Sequence, residues 1–270
     1  LDIYQFKTHI EAEKFMELYY KEYGSGHPFI ILHGLFGMSD NWATLGRRFG
    51  EDHLVVTPDL RNHGRSPHVP EMDYPSMASD VHHFLVNQWI HSAFVMGHSM
   101  GGKVAVQLAL DFPEQVEKLI VVDIGIHTYP SGHDEIFEAM INLPISEAKD
   151  RKFIENHLSS KIKDPGVVLF IMKNIVYDKL LDQYTWRMNL DTIHKDYTNI
   201  LKGLDAQTTF DNPALFINGG LSRYVRDKDK TTIQRVFTNA TFHTIEKAGH
   251  WVHADQPEEL YQVVHDFLIG

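Results

Sequence analysis

Short runs of buried-type residues recur along the chain between stretches of helical spacing, and this alternation dominates the sequence. From residue 17 to about 126 the rhythm is that of βα units feeding a largely parallel sheet. Residues 29–32, 54–57, 93–96 and 119–122 are each four residues of mainly apolar type, as expected of strands covered on both faces. Residues 41–49, 74–89 and 101–111 read as the intervening helices, the last closed by Phe112-Pro113. Residues 127–205 break the rhythm: long and charged side chains with helical spacing predict a helical insertion. The strand pattern resumes at 214–217 and 242–245, and an amphipathic helix over about 257–268 closes the chain. The expected organisation is a core of 16–126 and 206–270 split by a helical cap over 127–205. Met16 precedes the strand-like ELYYKEYGSG, so residues 1–15 read as an N-terminal extension.

Length and composition narrow the function classes. The 270 residues are 43% hydrophobic and 23% charged, ordinary values for one globular domain. Against 36 Asp+Glu stand 25 Lys+Arg, and the formal charge of -11 repels phosphate backbones, which disfavours a nucleic-acid partner. The sequence has no cysteine, so thiolate zinc sites, iron-sulfur clusters and cysteine nucleophiles are excluded, and covalent catalysis must use oxygen or nitrogen. Apolar runs such as Val167 to Met172 are far shorter than the roughly 20 residues of a membrane span, and the N-terminal stretch lacks a secretory h-region, giving a cytoplasmic expectation.

The strongest chemical signal is Gly97-His98-Ser99-Met100-Gly101-Gly102, set between an expected strand and an expected helix. A bare G-x-S-x-G arises by chance about 0.1 times in such a chain, and the strand-turn-helix context lowers that further. A sharp turn with Ser99 at its apex needs glycines where side chains would clash, exposes the hydroxyl above the sheet, and points a helix N-terminus at a developing oxyanion. The blander reading is a glycine-rich turn whose serine caps the helix. Together with Leu32 to Gly37 (LHGLFG), Asp59 to Ser66 (DLRNHGRS) and the late Gly249 to Asp255 (GHWVHAD), this elbow resembles the α/β-hydrolase superfamily, in order and spacing over nearly the whole chain after Met16. Within it the sequence is most similar to small cytoplasmic carboxylesterases of the YbfF type. The resemblance implies an α/β-hydrolase fold, a mostly parallel central sheet flanked by helices, with esterase or thioesterase activity.

It also implies site roles. The oxyanion donors would be the backbone N–H groups of Met100, after the nucleophile, and Leu35, in the glycine-bounded loop. Among 18 histidines, His250 holds the chain position of the general base, since the hydrolase order places histidine last. His33 and His98 read as packing beside the site, His82, His83 and His194 as ordinary helix residues, and His253 as a weak metal partner for His250. The acid departs from the usual pattern. The slot after the 214–217 strand holds Ser222 or Arg223, neither of which stabilises an imidazolium as a carboxylate does. Asp123, ending the neighbouring strand at the same sheet edge, is the preferred acid, Asp227 is the alternative, and Ser222 would then support Asp123. Asp59, Arg61 and His63 look chemical but are expected to brace turns.

Phe36, His98, Trp186, Arg187 and Trp251 are the expected substrate-binding residues, with Ile126, His127, Tyr129, Met188 and Leu190 as further candidates for an apolar acyl site; about half of such cap residues would be core packing. The expected reaction is hydrolysis of small to medium acyl esters or thioesters through an acyl-enzyme. No cofactor and no metal are required, and the chain would act as a monomer or homodimer. An aspartate nucleophile, as in epoxide hydrolases and haloalkane dehalogenases, is disfavoured by the serine elbow. Carbon-carbon bond hydrolases, lactonases and cofactor-free perhydrolases stay open, as does an inactive binding protein of the same fold.

Overall fold

Alternation with a period of two along each central strand divides the interior into two layers. In the computed structural model, which describes residues 16–270, β1 (Tyr20–Tyr23) and β2 (His27–Leu32) are followed by α1 (Ala43–Phe49), β3 (His53–Pro58), α2 (Tyr74–Asn87), β4 (Ala93–His98), α3 (Met100–Asp111) and β5 (Val116–Val122). The expected extension at 1–15 lies outside the described residues. Ile30 and Leu32 of β2, Val95 of β4 and Leu119 and Val121 of β5 face a core shared with α2 and α3. Their neighbours Phe29, Ile31, Met96, Ile120 and Val122 face the other side, against Leu45 and Phe49 of α1. A sheet buried on both faces explains why these strands read as continuous apolar runs.

After β5 the chain forms α4 (Asp134–Ile141), α5 (Arg151–Lys161), α6 (Pro165–Met172), β6 (Ile175–Asp178), β7 (Gln183–Trp186), α7 (Leu190–Lys195) and α8 (Tyr197–Leu201). It then rejoins the sheet through β8 (Ala214–Gly219), α9 (Asp227–Val236), β9 (Ala240–Ile245), α10 (Val252–Asp255) and α11 (Pro257–Ile269). The seven-stranded order is β1-β3-β2-β4-β5-β8-β9, with β1 antiparallel and every other pairing parallel. This is an α/β-hydrolase architecture. Leu260, Val264 and Leu268 of α11 complete the second core.

One expectation needs correction. The segment between β5 and β8 is not purely helical, because β6 and β7 form an antiparallel hairpin pairing Ile175 with Trp186 and Asp178 with Gln183. Two four-residue strands around a charged turn are too short to print a period-two pattern, and their aromatic residues pack locally, Tyr177 against Tyr184 at 5.0 Å. Both ends of the segment are strapped to α3: the buried Lys103 Nζ donates to the carbonyls of His127 at 2.9 Å and Lys202 at 2.5 Å. Burial lowers that ammonium to a pKa of about 8.

Candidate active site

At the carboxyl edge of the sheet, β4 runs straight into α3 and Ser99 occupies the bend at φ 53°, ψ -120°. The left-handed backbone of a serine is strained, and it persists because the two flanking glycines let elements meet. A Cβ on Gly97 would lie 2.1 Å from the Gly101 carbonyl oxygen, and one on Gly101 would lie 2.4 Å from that of His33. The turn therefore seals α3 against β2 and lifts the Ser99 hydroxyl into the open.

Three side chains from three loops converge there. Ser99 Oγ donates to His250 Nε2 at 2.9 Å, and His250 Nδ1 donates to Asp123 Oδ2 at 2.7 Å. Asp123 is fully buried at the end of β5 and also takes a positive φ of 52°. Its carboxylate accepts the Ser222 hydroxyl at 2.5 Å and the Gly219 N–H at 3.0 Å. These partners fix the imidazole tautomer, with the proton on Nδ1 and the lone pair of Nε2 facing serine. Asp227, the other carboxylate considered from the sequence, opens α9 on the surface and pairs with Lys230 at 2.8 Å; it belongs to a different part of the molecule.

Leu35 and Met100 both line the cavity at Ser99, and the amide of neither donates to an acceptor among the described residues. A turn closed by Gly37 N–H to Gly34 O at 2.9 Å holds Leu35. His98 sits under the base, where its Nε2 donates to the His250 carbonyl at 2.8 Å. Burial, with His253 and His250 adjacent, drives its pKa far below the usual imidazole value, so the ring is neutral. His253 stacks on Trp42 at 4.6 Å, and burial lowers it to about 4.

Two cavities meet at Ser99. One, of about 390 Å³, is walled by Phe36, Ile136, Val167, Phe170, Trp251 and His133, with Asp164 and Asp255 on its border. The other, of about 290 Å³, is lined by Tyr74, His127, Tyr129, Tyr197, Arg223 and Arg226 and has no carboxylate in its wall. Phe36, His98 and Trp251 lie beside Ser99 in the first cavity, whereas His127 and Tyr129, expected in an apolar acyl site, line the arginine-bearing one. Trp186 and Arg187 line neither. The hairpin register carries Trp186 to a separate cavity with His68, Met188 and Leu190. The Arg187 backbone is spent on Asn174 O at 2.8 Å and on His68 Nε2 at 3.0 Å. Ile126 is core.

Other residues were not legible as site members. Tyr224 stacks on the His250 ring at 3.9 Å and 18°; it stands two residues after Ser222 but carries no motif. Phe170 and Val167 come from α6, whose signal was only the chain's long apolar run. Asp59 accepts the Ser39 and Arg65 amides at 2.5 and 2.8 Å, and Arg61 clamps Asp80 through two bonds of 2.6 and 2.8 Å. His82 stacks flat on Phe112 at 3.8 Å, and His194 packs on Phe137 at 4.9 Å.

Comparison with known proteins agrees with this architecture. Residues 27–257 match the family described as alpha/beta hydrolase fold. The chain is 36% identical to the sn-1-specific diacylglycerol lipase ABHD11 of Mus musculus, over 88% of this chain and 80% of that protein. It is also 36% identical to esterase YbfF of Escherichia coli strain K12, over 89% of this chain and 92% of that one. A solved marine microorganism esterase superposes with a TM-score of 0.91 at 41% identity, covering 93% of this chain and 99% of the other. No helix among the described residues is long and apolar enough to cross a membrane. The chain belongs to the α/β-hydrolase family and, within it, to the esterases and lipases of the YbfF and ABHD11 type.

Proposed function

We propose that this protein is a serine carboxylesterase and thioesterase that cleaves small to medium acyl esters through an acyl-enzyme. The observation that carries this reading is the unbroken chain of hydrogen bonds from Ser99 Oγ through His250 to Asp123. A serine hydroxyl is a weak nucleophile until a neutral imidazole takes its proton. His250 is held in the tautomer that can do so, and the Asp123 charge stabilises the imidazolium that results. As Ser99 Oγ attacks the acyl carbon, the carbonyl oxygen becomes an oxyanion between the free amides of Leu35 and Met100. His250 then returns the proton to the leaving alcohol or thiol. Water, activated by the same imidazole, releases the acid and restores Ser99.

The two cavities divide the substrate. The apolar wall of Phe36, Ile136, Val167, Phe170 and Trp251 suits the acyl chain, and the arginine-bearing lobe suits the leaving group. Residues 127–205 act as the cap that supplies most of the acyl wall. The diacylglycerol lipase and esterase relatives are in keeping with an acyl substrate.

A fluorophosphonate probe should label the parent protein and fail to label Ser99→Ala, with burst release of p-nitrophenol from p-nitrophenyl esters by the parent alone. A panel from acetyl to palmitoyl esters, alongside acyl-CoA thioesters, defines the acyl range. No labelling and no turnover across that panel would leave a binding protein built on the hydrolase fold.

A further inference from the structure

Phe36, beside the oxyanion donor Leu35, occupies the third position of the Gly34–Gly37 turn at φ 61°. A bulky residue holds that left-handed conformation only when its surroundings impose it. Both polar groups of this residue are gripped. Its N–H donates to His63 Nε2 at 3.2 Å from the core, and its carbonyl accepts Asn174 Nδ2 at 2.8 Å from the segment just beyond α6.

The core grip is one half of a reciprocal stitch. His33 Nε2 accepts the Leu60 N–H at 2.9 Å while its Nδ1 donates to Gly34 O at 2.9 Å. His63 Nδ1 donates to Arg61 O at 3.0 Å. Each ring receives a backbone N–H on Nε2, so each is neutral with its proton on Nδ1, and the loop 33–37 is sewn to the loop 59–66 in both directions. Both rings are buried, 5.1 Å apart.

Asn174 is the less expected half. It is fully buried, its N–H bonds to Ile171 O at 2.9 Å, and its carbonyl receives Arg187 N–H. Its side-chain Oδ1 has no partner among the described residues. A buried amide that leaves its own oxygen unsatisfied is costly, and the one hydrogen bond its side chain makes among the described residues is to Phe36. The same segment delivers Val167, Phe170 and Ile171 to the acyl cavity.

We propose that His63 and Asn174 are positioning residues for the oxyanion loop, clamping the two sides of Phe36 so that Leu35 N–H is held toward the reacting oxygen and the cap's seating is mechanically joined to it. This rests on the serine-esterase reading above. Loss of one grip frees Phe36 to leave the left-handed region, and its neighbour Leu35 turns with it. The effect falls chiefly on the transition state, where the donor acts, and less on acyl binding, to which Phe36 contributes one wall among several.

The test compares Asn174→Leu, His63→Leu and His63→Gln with the parent in the full chain. Asn174→Leu and His63→Leu should each lower kcat about tenfold or more on a p-nitrophenyl ester with KM within about twofold, a fraction of the 10²–10³ lost when a whole oxyanion donor is removed. They should weaken a boronic acid, whose tetrahedral adduct places an oxygen in the same position, by a similar factor. His63→Gln keeps an acceptor near the ε position and should restore most of kcat. Amide exchange at Phe36 should quicken at least tenfold in both leucine variants. Unchanged kcat, unchanged boronate affinity or unchanged Phe36 exchange in a folded Asn174→Leu protein overturns the proposal. Should His63→Leu fail to fold, Asn174→Leu still decides it. The amide exchange reads the clamp even if Ser99 takes no fluorophosphonate, so failure of the esterase reading and failure of the clamp are told apart.

Discussion

Asp123→Asn isolates what the buried carboxylate contributes, because the local hydrogen bonds dictate how the asparagine must sit. Asp123 Oδ1 receives the Gly219 N–H, and Oδ2 receives His250 Nδ1–H and the Ser222 hydroxyl. An amide NH2 turned toward Gly219 would oppose one donor to another and leave that buried N–H unsatisfied, at about 1–3 kcal/mol. The NH2 therefore turns toward His250. It then donates to Nδ1, which moves the imidazole proton to Nε2 and leaves nothing to accept the Ser99 proton. That preference alone removes the productive tautomer about tenfold to a hundredfold. The lost charge adds to it: an opposite charge about 4 Å away is worth about 4 kcal/mol at an effective dielectric near 20, part of which the amide dipole recovers. Together these predict a fall of about 10³–10⁴ in kcat/KM on a p-nitrophenyl ester, a matching fall in fluorophosphonate labelling rate, and a fold still intact by circular dichroism. The surface Asp227→Asn should stay within twofold. Activity of Asp123→Asn within tenfold of the parent, or an equal loss in Asp227→Asn, would refute the assignment.

Gly97→Ala should prevent folding or cut stability by several kcal/mol, since its Cβ meets the Gly101 carbonyl at 2.1 Å and backbone on neither side can yield; a thermal midpoint equal to the parent's would contradict the packing of the elbow. Acid should unfold the protein early. Burial lowers His33, His133 and His253 to about 4 and His63 to about 3, so between those values and the unfolded value near 6.5 the unfolded chain binds more protons. Stability is then complete above about pH 6.5 and lost as pH falls toward 4, at about 1.4 kcal/mol per pH unit for each proton. Urea titrations at pH 7, 6 and 5 that show a slope below one proton would be inconsistent with these four imidazoles being neutral in the fold. Arg223→Gln should lower kcat/KM about threefold to tenfold for 4-acetoxybenzoate while leaving its neutral methyl ester unchanged, and the difference should shrink in high salt; equal effects on both substrates would remove Arg223 from leaving-group recognition.

The parts of this molecule that the sequence displays are those where local pattern and global packing coincide. The strands are visible because both faces of the sheet are covered, so four-residue apolar runs mark them without ambiguity. Ser99 is visible because the elbow demands glycine at 97 and 101, and Asp123 follows from topology, since β5 and β8 are hydrogen-bonded neighbours whose ends reach one edge. The hairpin of β6 and β7 is hidden because its strands lie outside the main sheet and are mostly half-buried, so no apolar run marks them. That hidden pairing is also why Trp186 and Arg187 were misplaced: residue type suggested a substrate wall, and the register turned them elsewhere. Tyr224 and Asn174 reach the site through contacts made 26 and 138 residues away in the chain, with His250 and Phe36 respectively, for which no short motif exists.

The single ammonium of Lys103 gives the inserted segment a property of its own. Because the stalks at 127 and 202 both dock on one cation through main-chain oxygens, these two moorings do not depend on the side chains at those positions, whereas deeper in the segment the side chains of Asn174 and Asp196 tie it to Phe36 and Met72. A replacement segment that returned its own carbonyls at the same spacing would keep those two moorings and would have to supply the Asn174 tie anew. On the esterase reading proposed above, the fold thereby keeps Ser99, His250 and Asp123 apart from the inserted segment that brings Val167 and Phe170 to the cavity, so the two could vary separately.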